Sequence, residues 1–203
     1  MKERVYYQFR RKIVFKLVAK ACYKLPNKLI IYYNKYIIKG GLNMFNVFSS
    51  TNQVEILAPL TGEVIDLSDV PDEVFAAKTV GDGIAIKPTN DKLLAPVDGV
   101  VKQLFPTKHA LGIETEEGVE VLIHIGINTV ELKGEGFEKL VNKGDKINSG
   151  DELIQFDLEF IEDNATSIIT PIVITNGDQF DQLEKEDISQ VTAGEDRILT
   201  VTI

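Results

Sequence analysis

The sequence predicts an all-β fold, a compact antiparallel β-sandwich or barrel with a few short helical turns. Beyond Met44 the apolar residues recur with a period of two rather than the helical 3.6. Short β-branched runs are separated by Pro, Gly, Asp and Asn. Many short strands at close intervals indicate a sandwich or barrel.

Taken in order, strands are expected at 53–57 and 62–66, the second entered through Ala58-Pro-Leu-Thr-Gly. The next are 84–87, 93–95 and 99–104, the last entered through the similar Ala95-Pro-Val-Asp-Gly. Each of these two pieces sets a proline at a strand end, then a turn glycine, then an apolar strand. Strands at 110–115 and 119–126 follow. Those at 146–147 and 152–157 bracket a turn-rich stretch around Asn148-Ser-Gly, and 171–174, 189–191 and 197–202 complete the set. Short helical stretches fit near 73–76, 136–142 and 158–164, and Asp178 to Asp187 reads as an acidic, solvated stretch.

The 203 residues are 44% hydrophobic and 26% charged, the composition of one soluble globular domain with an appendage. The single cysteine, Cys22, cannot form an internal disulfide, which fits a reducing compartment and a cytoplasmic location. No apolar run approaches the roughly 18 residues of a membrane span. The net charge of −9 divides unevenly, into +10 over residues 1–43 and −19 over 44–203. The acidic part excludes nucleic acid as a partner and suits transient partners with basic docking patches.

Residues 1–43 also hold all six tyrosines and the cysteine. The preferred reading of this basic extension is an upstream translation artefact. Lys39-Gly40-Gly41 back-translates to a bacterial ribosome-binding sequence at a suitable distance from Met44. The competing reading is a disordered or amphipathic arm for an anionic membrane surface, with Arg10, Arg11, Lys12 and Lys16 beside Phe9, Ile13 and Leu17. Residues 44–203 are then a single domain.

The chain has two histidines, His109 and His124, both in apolar, β-patterned runs. A neutral imidazole is available near physiological pH as base, ligand or nucleophile. Strand alternation puts Val119, Val121, Ile123, Ile125 and Ile127 on a core face, and Glu120, Leu122, His124 and Gly126 on the other. Gly126 then leaves room for a group to approach the imidazole. Thr107 shares the facing of His109 and is placed to hydrogen-bond an imidazole nitrogen, fixing its tautomer. Spacing alone favours plainer roles, a surface histidine at 124 and an ordinary strand-start histidine at 109. A cofactor carrier domain would need a modifiable lysine at a hairpin tip, and no such tip is visible. A zinc peptidase would need a third histidine and a His-x-His pair.

Seven separated motifs, in order, carry a specific resemblance. They are Ala58-Pro-Leu-Thr-Gly-Glu, Val70-Pro-Asp-Glu-Val-Phe-Ala, Val80-Gly-Asp-Gly-Ile-Ala-Ile-Lys-Pro, Ala95-Pro-Val-Asp-Gly, Thr107-Lys-His-Ala, Val119-Glu-Val-Leu-Ile-His-Ile-Gly-Ile and Thr129-Val-Glu-Leu-Lys-Gly-Glu-Gly-Phe. From about residue 52 onward the chain resembles the glucose-family enzyme IIA of the bacterial phosphoenolpyruvate-dependent sugar phosphotransferase system. The resemblance implies an antiparallel β-sandwich with the two histidines adjacent in a shallow apolar depression. It implies a phosphotransferase component that accepts a phosphoryl group from the phosphocarrier HPr. The group then passes to a cysteine on the IIB domain of a sugar permease, a transient contact at the membrane. His124 matches the phosphorylated histidine, His109 its partner, and Thr107 the residue that orients that partner.

Val74, Phe75, Val80 and Phe105 match the apolar rim where partners bind. Asn128 stands where the family usually has an aspartate, which implies a changed rate or partner preference. No cofactor is implied. Zinc enters only as a possibility at a partner interface, His109 and His124 being completed there by a partner's carboxylate. The alternative role is regulatory, the unphosphorylated form binding and inhibiting permeases or kinases. The sugar itself is chosen by the permease domains.

Overall fold

The computed structural model describes residues 53–203; the readings of residues 1–43 lie outside them. Fourteen strands and two short helices follow in order. They are β1 (Gln53–Leu57), β2 (Gly62–Asp66), α1 (Glu73–Ala76), β3 (Asp82–Pro88), β4 (Lys92–Leu94), β5 (Gly99–Leu104), β6 (Ala110–Glu114) and β7 (Glu120–His124). Then come β8 (Phe137–Lys139), β9 (Lys146–Ile147), β10 (Glu152–Phe156), α2 (Leu158–Asn164), β11 (Thr170–Ile174), β12 (Gln182–Lys185), β13 (Gln190–Val191) and β14 (Arg197–Thr202). Short 3₁₀ turns lie at Leu67–Asp69, Thr129–Leu132 and Gly177–Gln179.

The strands form an eight-stranded sheet in the order β13-β2-β3-β11-β7-β6-β5-β9 and two three-stranded sheets, β1-β14-β12 and β4-β10-β8. One core cluster joins all three, with Ile86, Leu111, Ile123 and Ile172 from the large sheet, Ile56 and Leu199 from one small sheet, and Leu93 and Ile154 from the other. This is the expected antiparallel sandwich. A smaller cluster of Leu67, Val70, Phe75, Ala85, Ile127 and Val173 lies apart from it. Ala85 and Val173 alternate with the main-core residues Ile84, Ile86, Ile172 and Ile174, so the central strands β3 and β11 are buried on both faces. Their sequences accordingly read as continuous apolar runs.

The segment covering the second face is held locally. Asp72 caps α1, its Oδ1 accepting from the N–H groups of Val74 and Phe75 at 2.9 and 3.1 Å. Four residues are too few to hold a helix in isolation. The anchor is Phe75, 7% exposed, whose burial is worth about 2 kcal/mol. Among the described residues no helix is long and apolar enough to cross a membrane.

Three local expectations fail for physical reasons. The helix expected at 136–142 is strand β8: Phe137 pairs with Phe156 of β10, and Gly134 and Gly136 at positive φ break the helical path before it starts. The stretch 178–187 is not merely solvated. Within it β12 pairs with β14, Leu183 packs against the core, and Lys185 Nζ bonds Asp82 Oδ1 at 2.6 Å. The strand expected over 119–126 ends at His124, because Gly126 turns at φ +67°, and Ile127 joins the smaller cluster instead of the main core.

Candidate functional site

The two histidines meet where β6 and β7 pair. The antiparallel register sets Ala110 opposite His124, and the Ile125 N–H donates to the His109 carbonyl at 2.7 Å. The side chain of His109 does not come from a regular strand. A tight turn closes through Phe105 N–H to the Ala110 carbonyl at 3.0 Å and Lys108 N–H to the Phe105 carbonyl at 2.8 Å. Lys108 adopts φ +60°, which re-aims the residue after it. Its ammonium donates to the Phe137 carbonyl at 3.0 Å and ties the turn to β8. The imidazole rings of His109 and His124 stand edge to face, their centroids 4.7 Å apart.

Hydrogen bonds constrain the ring nitrogens. His124 Nδ1 lies 2.7 Å from the Gly126 carbonyl oxygen. A carbonyl only accepts, so the proton sits on Nδ1 and the lone pair on Nε2. His109 Nδ1 lies 2.6 Å from Thr107 Oγ1. The contact expected of Thr107 is therefore present, though it is made across a turn rather than along an extended strand. Burial pushes the His109 pKa down to about 4, and the neighbouring His124 adds to the effect. Burial also lowers His124, against the opposing pull of the Gly126 hydrogen bond and the Asp72 carboxylate. Both rings are neutral at neutral pH.

Around the pair lie apolar groups. Phe75 sits edge-on to His124 with centroids 5.4 Å apart, and Phe105 tilts over His109 at 5.6 Å. Val80 packs half-buried against the smaller cluster, whereas Val74 is 49% exposed. Asn128 is exposed and left-handed at φ +61°, a conformation asparagine tolerates better than most residues. Its Nδ2 donates to Thr166 Oγ1 at 2.7 Å. An aspartate there could accept from the same hydroxyl, so Asn128→Asp should keep the fold and add one charge. The expected result is a few-fold change in phosphotransfer rate with at least one partner, most marked at low salt. Unchanged kinetics with every partner, by stopped-flow transfer assay, would contradict this.

Sequence reasoning missed two participants. The Gly126 carbonyl fixes the His124 proton, but a backbone acceptor has no sequence signature. Asp72 stands in the motif at 70–76, but its charge acts on His124 only through the fold. Two imidazoles supply two nitrogen ligands, whereas a structural zinc takes four. Among the described residues no group of three or more His, Cys, Asp or Glu is placed to hold a metal.

The chain is similar to known proteins. The family model described as phosphoenolpyruvate-dependent sugar phosphotransferase system, EIIA 1, matches residues 54–180. A glucose-specific EIIA component of the phosphotransferase system from Staphylococcus epidermidis is 51% identical over 150 residues, covering 74% of this chain and 90% of its own. Its counterpart from Staphylococcus aureus is 49% identical over the same shares. Among solved structures, glucose permease IIA from Mycoplasma capricolum superposes with a TM-score of 0.67 at 37% identity, covering 77% of this chain and 99% of that one.

Proposed function

The chain belongs to the EIIA 1 family of the phosphoenolpyruvate-dependent sugar phosphotransferase system, and from that premise we propose that His124 carries the relayed phosphoryl group. The donor is phospho-HPr and the acceptor is a cysteine on the IIB domain of a glucose-type permease. The relatives' names support glucose as the sugar. On this reading the protein works in the cytoplasm, where its donor and the permease's IIB domain meet.

The observation that carries the assignment is the His124 Nδ1 hydrogen bond to Gly126, which leaves Nε2 free beside a second imidazole. The Nε2 lone pair attacks phosphorus, and the donor's N–P bond breaks with its electron pair returning to the donor imidazole. The His124 ring gains positive charge, and its Nδ1–H bond to the Gly126 carbonyl strengthens. In the second step a thiolate sulfur attacks phosphorus and the Nε2–P pair returns to the ring. With the Thr107 hydroxyl donating to Nδ1, His109 carries its proton on Nε2 and offers it to a phosphoryl oxygen. Phe75 and Phe105 keep water from the intermediate. A zinc ion between the two imidazoles would need a partner's carboxylate to complete it, and no step above uses one.

The test is the complete relay: labelled phosphoenolpyruvate, enzyme I, HPr and this protein. One acid-labile, base-stable phosphate per chain, mapped to the peptide containing His124 and chased onto a IIB domain, is expected. No label on the protein would overturn the reading.

A further inference from the structure

The proton on His124 depends on the direction of one backbone carbonyl, and both peptides flanking Gly126 are held at both ends. The Ile125–Gly126 peptide accepts from Thr129 Oγ1 at 2.7 Å through its carbonyl and donates to Thr170 Oγ1 at 3.2 Å through its N–H. Thr170 donates its own proton to the Ile168 carbonyl at 3.0 Å. The Gly126–Ile127 peptide accepts from His124 Nδ1 and donates through Ile127 N–H to the Ser167 carbonyl at 2.8 Å.

Thr129 and Thr170 are both fully buried, at 0% exposure. A valine would fill either place without a polar atom to desolvate, so each hydroxyl is accounted for by its bonds. The turn between them admits no side chain. Gly126 has φ +67°, and a Cβ there would lie 2.7 Å from the Thr129 methyl and 2.9 Å from the Ser167 oxygen.

We propose that Thr129 and Thr170 are positioning residues for phosphoryl transfer, clamping the Ile125–Gly126 peptide so that the Gly126 carbonyl stays aimed at His124 Nδ1. The inference rests on the reading of His124 as the nucleophile. The clamp keeps the proton on Nδ1 and the lone pair on Nε2. It matters most as the N–P bond forms, when the ring becomes cationic and its hydrogen bond charge-assisted. Outer partners that orient a reactive imidazole act in this way, through tautomer and direction rather than contact with the reacting atom.

The experiment compares wild type, Thr129→Val, Thr170→Val and the corresponding serine variants, all in the full chain. Long-range ¹H–¹⁵N NMR reads the His124 tautomer in the unphosphorylated protein, and rapid-quench kinetics reads acceptance from phospho-HPr. Wild type should show a single Nδ1–H tautomer. Each valine variant, with its sheet amides unshifted elsewhere, should show averaged ring-nitrogen shifts and accept phosphate about tenfold more slowly, with KM for phospho-HPr unchanged. Serine should restore both. The two sites are read separately, so one misfolded variant leaves the other decisive. A pure Nδ1–H tautomer in a folded valine variant overturns the inference, whatever its rate. Because the tautomer is read without phosphate, this failure is distinct from finding the label on a residue other than His124.

Discussion

His124→Gln should take no acid-labile phosphate from phospho-HPr while remaining folded. The glutamine amide can still donate to the Gly126 carbonyl, 2.7 Å from His124 Nδ1 in the wild type, and so keep that end of β7 in place. Its nitrogen lone pair is delocalised into the carbonyl and is no nucleophile toward phosphorus. His109 cannot take over if the Thr107 hydroxyl donates to its Nδ1, because its Nε2 then carries the proton. The expected loss is complete, read as absence of label on the intact protein at times when wild type is saturated. Label on His124→Gln would move the nucleophile to His109.

His109→Gln should accept phosphate and fail to pass it on. In the acceptance step a neutral imidazole attacks and another leaves. In the onward step a thiolate brings negative charge to a phosphoryl group that is already anionic, so the donor's placement is felt there most, and a flexible glutamine amide does not hold its N–H where the imidazole, fixed by Thr107, holds Nε2–H. Removing one such donor typically slows a step about a hundredfold to a thousandfold. Pre-phosphorylated variant mixed with a IIB domain reads the second step alone, and wild-type transfer would dismiss the partner role.

The same residue sets a pH response. With a pKa near 4 in the folded protein against an ordinary 6.5, the unfolded chain binds the proton more readily between those values. Stability is therefore whole above about pH 6.5 and falls as pH drops toward 4. Denaturant midpoints at pH 7 and 5 should converge in His109→Gln relative to wild type.

Most strands were legible because their signal is short-range. The run 99–104 between Gly and Pro turns, the short helix near 73–76 and the alternation through Ile123 are written in adjacent residues. β12 was not, since Leu183 is a single apolar residue in an acidic run and its strand exists only by pairing with β14. β8 was misread because Glu138, Lys139 and Leu140 are good helix formers, and the pairing of Phe137 with Phe156 overrides propensity. The two histidines could be picked out by type and facing. Their contact could not, because it depends on Lys108 taking a left-handed conformation that nothing in its own side chain favours. The family motifs supplied that pairing where local rules stop.

The pairing of β1 with β14 constrains how the protein is made. Gln53 is in register with Thr202, so the first described strand has no partner until nearly the last described residue has left the ribosome. Synthesis at about 5–20 residues per second leaves β1 waiting for roughly 7 to 30 seconds. Closure of this small sheet waits for β14, and the nascent chain carries an open apolar edge until that strand arrives. A stalled or shortened product lacking β14 would expose Val54 and Ile56 to chaperones and proteases.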